Sequence, residues 1–315
     1  MDATYAYLHK AKNFQTLRQS FSVHKSRHLS KPMVIVAPDG YILHVQGPYF
    51  ADSKNNDASI IMDLFDKNED GIAEWFQQGD IVLVDRGFRD SINFLENRGL
   101  ICKMPPFLNV GQKQFNTVEA NEGRLITKSR WVVEVRNGHF QSIFRFFIHV
   151  VPFAQVLHLR DYYQIAGAII NRYRAPLLMP DATVDIAREM KLKVNDVNVV
   201  QMRVEVEGLK RGNANWRRLN ENHALNFPRL NIEYLKRLTV GIFQLNVAPS
   251  YIQDKLNKEN SDIFQFDEYS HESGFLRIRI YSRSVNRTKH QLWIAYTDIE
   301  NIDNDNPPIM GYYYT

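Results

Sequence analysis

The sequence predicts an α/β fold, a mixed sheet flanked by helices, followed by a smaller, mostly helical α+β region. Three observations carry this expectation. Short apolar runs bounded by turn residues alternate with helix-forming stretches between residues 33 and 104. A long helical stretch follows, roughly residues 116–149. Beyond it the alternation gives way to helices and a late pair of strands. The division is placed at residues 1–150 and 151–315.

Residues 33–37 are apolar and stop at Pro38-Asp39-Gly40, and residues 41–45 resume at once, which reads as a β-hairpin. Residues 58–65 suit a helix, with Asp57 as its N-cap. Residues 80–84 form a continuous apolar run, expected to be a strand buried on both faces, with Asp85 at its carboxyl end. A helix over 91–97 ends at Gly99, and residues 100–104 form a further strand stopped by Pro105-Pro106. In the long helical stretch Phe140, Phe144 and Phe147 share one face, and Gly138 marks a candidate bend.

In the second region, residues 162–174, 231–238 and 250–256 read as helices, and Pro180-Asp181-Ala182-Thr183 opens another. Residues 275–283 alternate strictly, the pattern of a half-exposed strand, and residues 291–296 could pair with it. Arg277, Arg279 and Arg283 would then share a face, either as a solvated edge or as a strip facing a polyanion. Residues 302–308 read as a loop.

Composition bounds the function classes. Net charge is +4 and the pI near 8.9, which allows a nucleic-acid partner without requiring one. One cysteine, Cys102, excludes an intrachain disulfide scaffold and a Cys-rich zinc module, and points to a reducing compartment. That makes the glycosylation pattern Asn286-Arg287-Thr288 irrelevant. No apolar run is long enough to span a membrane, and the N-terminus lacks signal-peptide features. His24 and His28 are four apart and could share a helix face, but have no acidic partner at zinc-site spacing. No glycine loop of the phosphate-cradling kind is present, so ATP use is not expected.

The candidate chemistry lies in the acidic residues. Hard divalent cations take carboxylate oxygens, and paired ions can activate one oxygen while stabilising another. Asp85 at a strand's carboxyl end is the strongest candidate, since ligands of open α/β sheets gather there. Its plainer reading is a cap on the following turn. Glu134 lies on the long helix, where pairing with Arg130 four residues back is the plainer reading. Asp2 opens the strand-like run 2–8, or is a solvated terminus.

Several blocks resemble, in order, the DDE superfamily transposases of the Harbinger type. They are Met1-Asp2-Ala3-Thr4-Tyr5, Ser22 to His28 with Lys31-Pro32 and Ala37 to Gly40, Gly47-Pro48-Tyr49 through Asp57-Ala58, Val84-Asp85-Arg86-Gly87-Phe88, and Arg130 through Glu134 with Gly138. The resemblance covers roughly residues 1–150. It implies an RNase H-like fold and an Mg²⁺- or Mn²⁺-dependent endonuclease and strand transferase acting on DNA. Carried over, the catalytic and metal-holding residues are Asp2, Asp85 and Glu134, with Asp57 either near the metal or only the helix cap. Arg86, Arg130 and Arg136 would steer DNA phosphates, or form surface ion pairs. Gln141 stands where the family often has a lysine.

The family's helix-turn-helix region would precede Asp2, and residues 230–256 and 276–296 resemble downstream parts of animal proteins that continue past a Gly-Tyr-Tyr into a SWIM-like zinc module. The chain thus reads as a piece cut at both ends. A separate DNA-binding partner protein, homo-oligomerisation and a nuclear location are further expectations from the resemblance. The alternative function is a domesticated or fragmentary DNA- or protein-binding module without catalysis.

Overall fold

The computed structural model describes all residues except 113, 179–182, 212–214, 220–225, 240–242, 260–265, 282–288, 299, 301 and 303–306. The chain forms two compact units, Met1–Val194 and Asn195–Thr315.

The first unit runs β1 (Asp2–Ala3), β2 (Ala6–Tyr7), α1 (Phe14–Ser20), β3 (Phe21–Ser22), β4 (Arg27–Val36), β5 (Ile42–Phe50), α2 (Asp57–Lys67), β6 (Ile81–Leu83), α3 (Ile92–Glu96), β7 (Ile101–Lys103), α4 (Thr117–Ile143), α5 (Arg145–Ile148), α6 (Leu159–Tyr173) and α7 (Val184–Lys193). β4 is the hub, pairing antiparallel with β1, β2, β3 and β5. β6 and β7 pair in parallel. The Met1 nitrogen donates to the Leu83 carbonyl at 3.0 Å, so the start of β1 is bonded to the end of β6.

β4 sits centrally because its side chains supply both cores. Met33 and Ile35 face one side with Ile60, Ile61 and Leu64 of α2 and with Val82, Val84 and Phe88. Val34 faces the other, with Ile42, Val45, Phe140, Phe147, Tyr163 and Ile170. Alternate strand residues point to opposite faces, so helices on both sides each gain a wall. Each fully buried aliphatic or aromatic side chain contributes about 1.5–3 kcal/mol.

The expected hairpin, strands and helices form, with four local differences. The α2 N-cap is Asn56, whose side chain accepts from the Ser59 N–H, not Asp57. The strand before Asp85 is not buried on both faces, since Ile81 is 65% exposed. The long helix breaks at Phe144, not Gly138, and Phe140 and Phe147 dock into the core. His28 lies in β4, opposite Phe21 of β3, so His24 and His28 share no helix.

The tight turn joining β4 and β5 needs a glycine. Gly40 has φ +82°, and a Cβ there would lie 2.9 Å from Arg136 Nε. Arg136 uses that space to donate to the Gly40 carbonyl.

The second unit holds α8 (Val199–Val206), β8 (Trp216–Arg218), α9 (Ile232–Thr239), α10 (Phe243–Glu259), β9 (Asp267–Tyr269), β10 (Phe275–Tyr281), β11 (Lys289–Tyr296) and β12 (Ile309–Tyr314). It centres on an antiparallel sheet in the order β12-β11-β10-β9-β8. β10 is interior and not half-exposed. Phe275 packs with Val200 and Val204 on one face, and Leu276 with Tyr234 and Leu238 on the other. Arg277 is only 2% exposed, bonded to Asp267 at 2.8 Å and laid over Trp216. It belongs to neither an exposed strip nor a solvated edge; Arg283 and residues 286–288 lie outside the described residues, as do residues 180–182.

Candidate active site

Asp2 is the first residue of β1, opposite Val34 of β4. Asp85 follows β6 and opens the 3-10 turn Arg86–Ser91, where its Oδ1 accepts from the Gly87 N–H at 2.7 Å. The capping role read from the sequence is thus realised, and it also aims the carboxylate. Asp57 is the first residue of α2, one place inside the cap. Because Asn56 does the capping, the Asp57 carboxylate is released toward the sheet end. Its Oδ1 lies 2.7 Å from Lys31 Nζ of β4.

Gly87 records how close these groups come. A Cβ on it would stand 2.9 Å from Asp57 Oδ2 and 3.0 Å from Asp85 Oδ1. Two carboxylates from different elements therefore close on one glycine.

Asp2 feels both of them. Its carboxyl is pushed up to about 6, chiefly by burial; Arg130 opposes the rise, while Asp85 and Asp57 add to it. The Tyr5 hydroxyl is also pushed up, by burial first and then by Asp57, Asp2 and Asp85. Burial, more than charge, raises Asp2, and Arg130 and the Met1 ammonium lie against the nearby carboxylates.

Helix α4 supplies the other wall. Arg130 Nη2 lies 3.7 Å from Asp2 Oδ1, and Asn137 Nδ2 donates to Asp2 Oδ2 at 3.2 Å. Positions 130, 134 and 137 fall on one helical stripe, so Glu134 stands between two residues that reach Asp2. Glu134 itself is exposed. Among the described residues, no group of three or more His, Cys, Asp and Glu side chains is placed to hold a metal ion.

The arginines divide. Arg86 is exposed and lies over the rings of Phe107 and Phe115, beside Asp85. Arg130 is buried and turned to Asp2, not to Glu134. Arg136 is buried and donates to the carbonyls of Gly40 and Ala175. Its donors are used inside the fold, so it does not steer a phosphate. Lys31, Gly87 and Asn137 escape sequence reasoning as site residues, because their partners lie on other elements.

The fold and site together define an α/β domain with acidic side chains gathered at strand ends, backed by a helix that carries a further glutamate. Residues 1–171 match the model of the DDE superfamily endonuclease family, more than half of the chain, and the chain belongs to that family. No curated protein and no solved structure matches it. No helix among the described residues is long and apolar enough to cross a membrane.

Proposed function

We propose that the first unit is a divalent-metal-dependent DNA endonuclease and strand transferase of the Harbinger type, with an RNase H-like arrangement. Supporting the fold reading, hairpin β4–β5, β1 and the β6–β7 pair follow one another through β-pairing and the Met1–Leu83 bond. The single observation that carries the activity is the closure of Asp57 and Asp85 on Gly87, beside the partly buried carboxyl of Asp2.

Asp2, Asp85 and Glu134 would hold Mg²⁺ or Mn²⁺, with Asp57 close by. A bound cation of this kind activates the attacking oxygen and stabilises the leaving oxygen of a phosphodiester. The chain's own residues prepare that site. The Gly87 N–H fixes one Asp85 oxygen, and Lys31 holds one Asp57 oxygen at 2.7 Å. Arg130 and Asn137 hold Asp2. Arg86, presented on two aromatic rings, meets the phosphate backbone of DNA. A separate DNA-binding partner, self-association and nuclear residence accord with this reading.

The test is nicking of supercoiled plasmid in Mg²⁺ or Mn²⁺. The parent chain is expected to nick and Asp85→Asn to lose that activity. A variant that cuts as fast as the parent removes the reading.

A further inference from the structure

Among the described residues no three His, Cys, Asp or Glu side chains are grouped to hold a metal ion, and hard divalent cations also take neutral oxygen donors. Helix α4 offers one. Asn137 Nδ2 donates to Asp2 Oδ2 at 3.2 Å, which fixes the orientation of the amide. Its other atom, Oδ1, is buried with no hydrogen-bond partner. Arg130 Nε is a second buried polar atom without a partner, on a side chain only 9% exposed that faces the same carboxylate. Burying an unsatisfied carboxamide oxygen is unfavourable unless a partner is supplied. Such an atom beside a partly buried carboxylate has the form of a cation ligand, since a carboxamide oxygen is a hard, neutral donor.

We propose that Asn137 is a further, neutral oxygen ligand of the cation served by Asp2, with Glu134 one helical turn earlier on the same stripe. This rests on the metal-dependent reading of the site. Its N–H holds Asp2 in place while its carbonyl oxygen adds to the donor set without adding charge. Neutrality matters here, because a carboxylate in place of this amide would set a like charge directly against Asp2.

Mn²⁺ titration by calorimetry on the full chain, with thermal melts in and out of Mn²⁺, separates the outcomes. Parent protein is expected to bind Mn²⁺, and Asp85→Asn to lose binding. Asn137→Ala is expected to weaken it by about 10–100-fold. Asn137→Asp is expected to melt below the parent without metal and to show a larger Mn²⁺-induced rise in Tm, a signature that a packing role would not produce. Parent-like Mn²⁺ affinity in a folded Asn137→Ala overturns the role of Asn137 and leaves the metal reading standing. If Asn137→Ala does not fold, a Mn²⁺-induced rise in Asn137→Asp no larger than the parent's overturns it. A parent that binds no Mn²⁺ removes both.

Discussion

Asp57 and Asp85 meet over a glycine: the space that a Cβ would take on Gly87 is bounded by Asp57 Oδ2 at 2.9 Å and Asp85 Oδ1 at 3.0 Å. Neither side chain is the far end of a long flexible chain, so neither yields cheaply. Gly87→Ala is expected to push the carboxylates apart and destabilise the fold by about 1–3 kcal/mol. Mn²⁺ affinity should fall with it. Denaturant unfolding together with Mn²⁺ titration checks this, and an alanine variant with parental values for both contradicts the close approach.

Asp2 carries a stability cost that its role requires. Its carboxyl stands at about 6 in the fold against an ordinary 3.8. A raised acid is favourable to the fold when protonated, and that advantage is lost as pH rises through the folded value. The metal-free protein should therefore be stabilised as pH falls from about 6 toward about 4 as far as this group is concerned. Asp2→Asn should raise Tm at pH 8 without metal by an amount worth at most about 3 kcal/mol. That gain should shrink on acidification, and nicking should be lost. A lower Tm for Asp2→Asn at pH 8 contradicts the sign.

His139 gives the opposite pH signature. Burial first, then Arg136 and Arg174, hold it below its ordinary 6.5. Its Nδ1 faces Arg136 Nη1 at 3.1 Å, and arginine only donates, so the imidazole accepts there and is neutral. A depressed base supports the fold above its unfolded pKa, and the support is lost as pH falls through the folded value. His139→Gln keeps an acceptor without a titration. Melts below pH 6.5 should show less acid destabilisation than the parent; identical profiles would refute the assignment.

Outward from the acidic corner, the exposed cations Lys25 and Arg27 lie over the rings of Tyr5 and Tyr7, each at 5.2 Å. If DNA crosses this face, Lys25→Ala with Arg27→Ala should weaken binding at low salt. The log–log salt slope should drop by about two, one per phosphate contact. An unchanged slope places the DNA elsewhere.

How much of this was legible follows from the range of each signal. The β4–β5 hairpin and helix α2 announce themselves through local periodicity and turn residues. Asp85 at a strand end is equally local. Asn56 and Asp57 are both good caps, so local chemistry cannot tell which of them is released to the site; the register of α2 decides. The stripe 130, 134, 137 is readable, but the bond from Asn137 to Asp2 spans 135 residues and comes only from docking α4 beside β1. Arg277 misleads for the same reason. Its strand alternates like a surface strand, yet Asp267 and Trp216 from neighbouring strands cover it. The three short strands β1, β2 and β3 have two residues each, too few to show a period.

The most direct test of carboxylate convergence is iron-mapped backbone cleavage. Fe²⁺ replaces Mg²⁺ in an oxygen-ligand site and, with ascorbate and peroxide, cuts the chain nearby. Fragments ending close to residues 2, 57, 85 and 134–137 are expected, all suppressed together by excess Mg²⁺. Cuts near Asp57 and Asp85 with none on α4, or cuts that Mg²⁺ does not suppress, would contradict a cation shared between the strand ends and the helix.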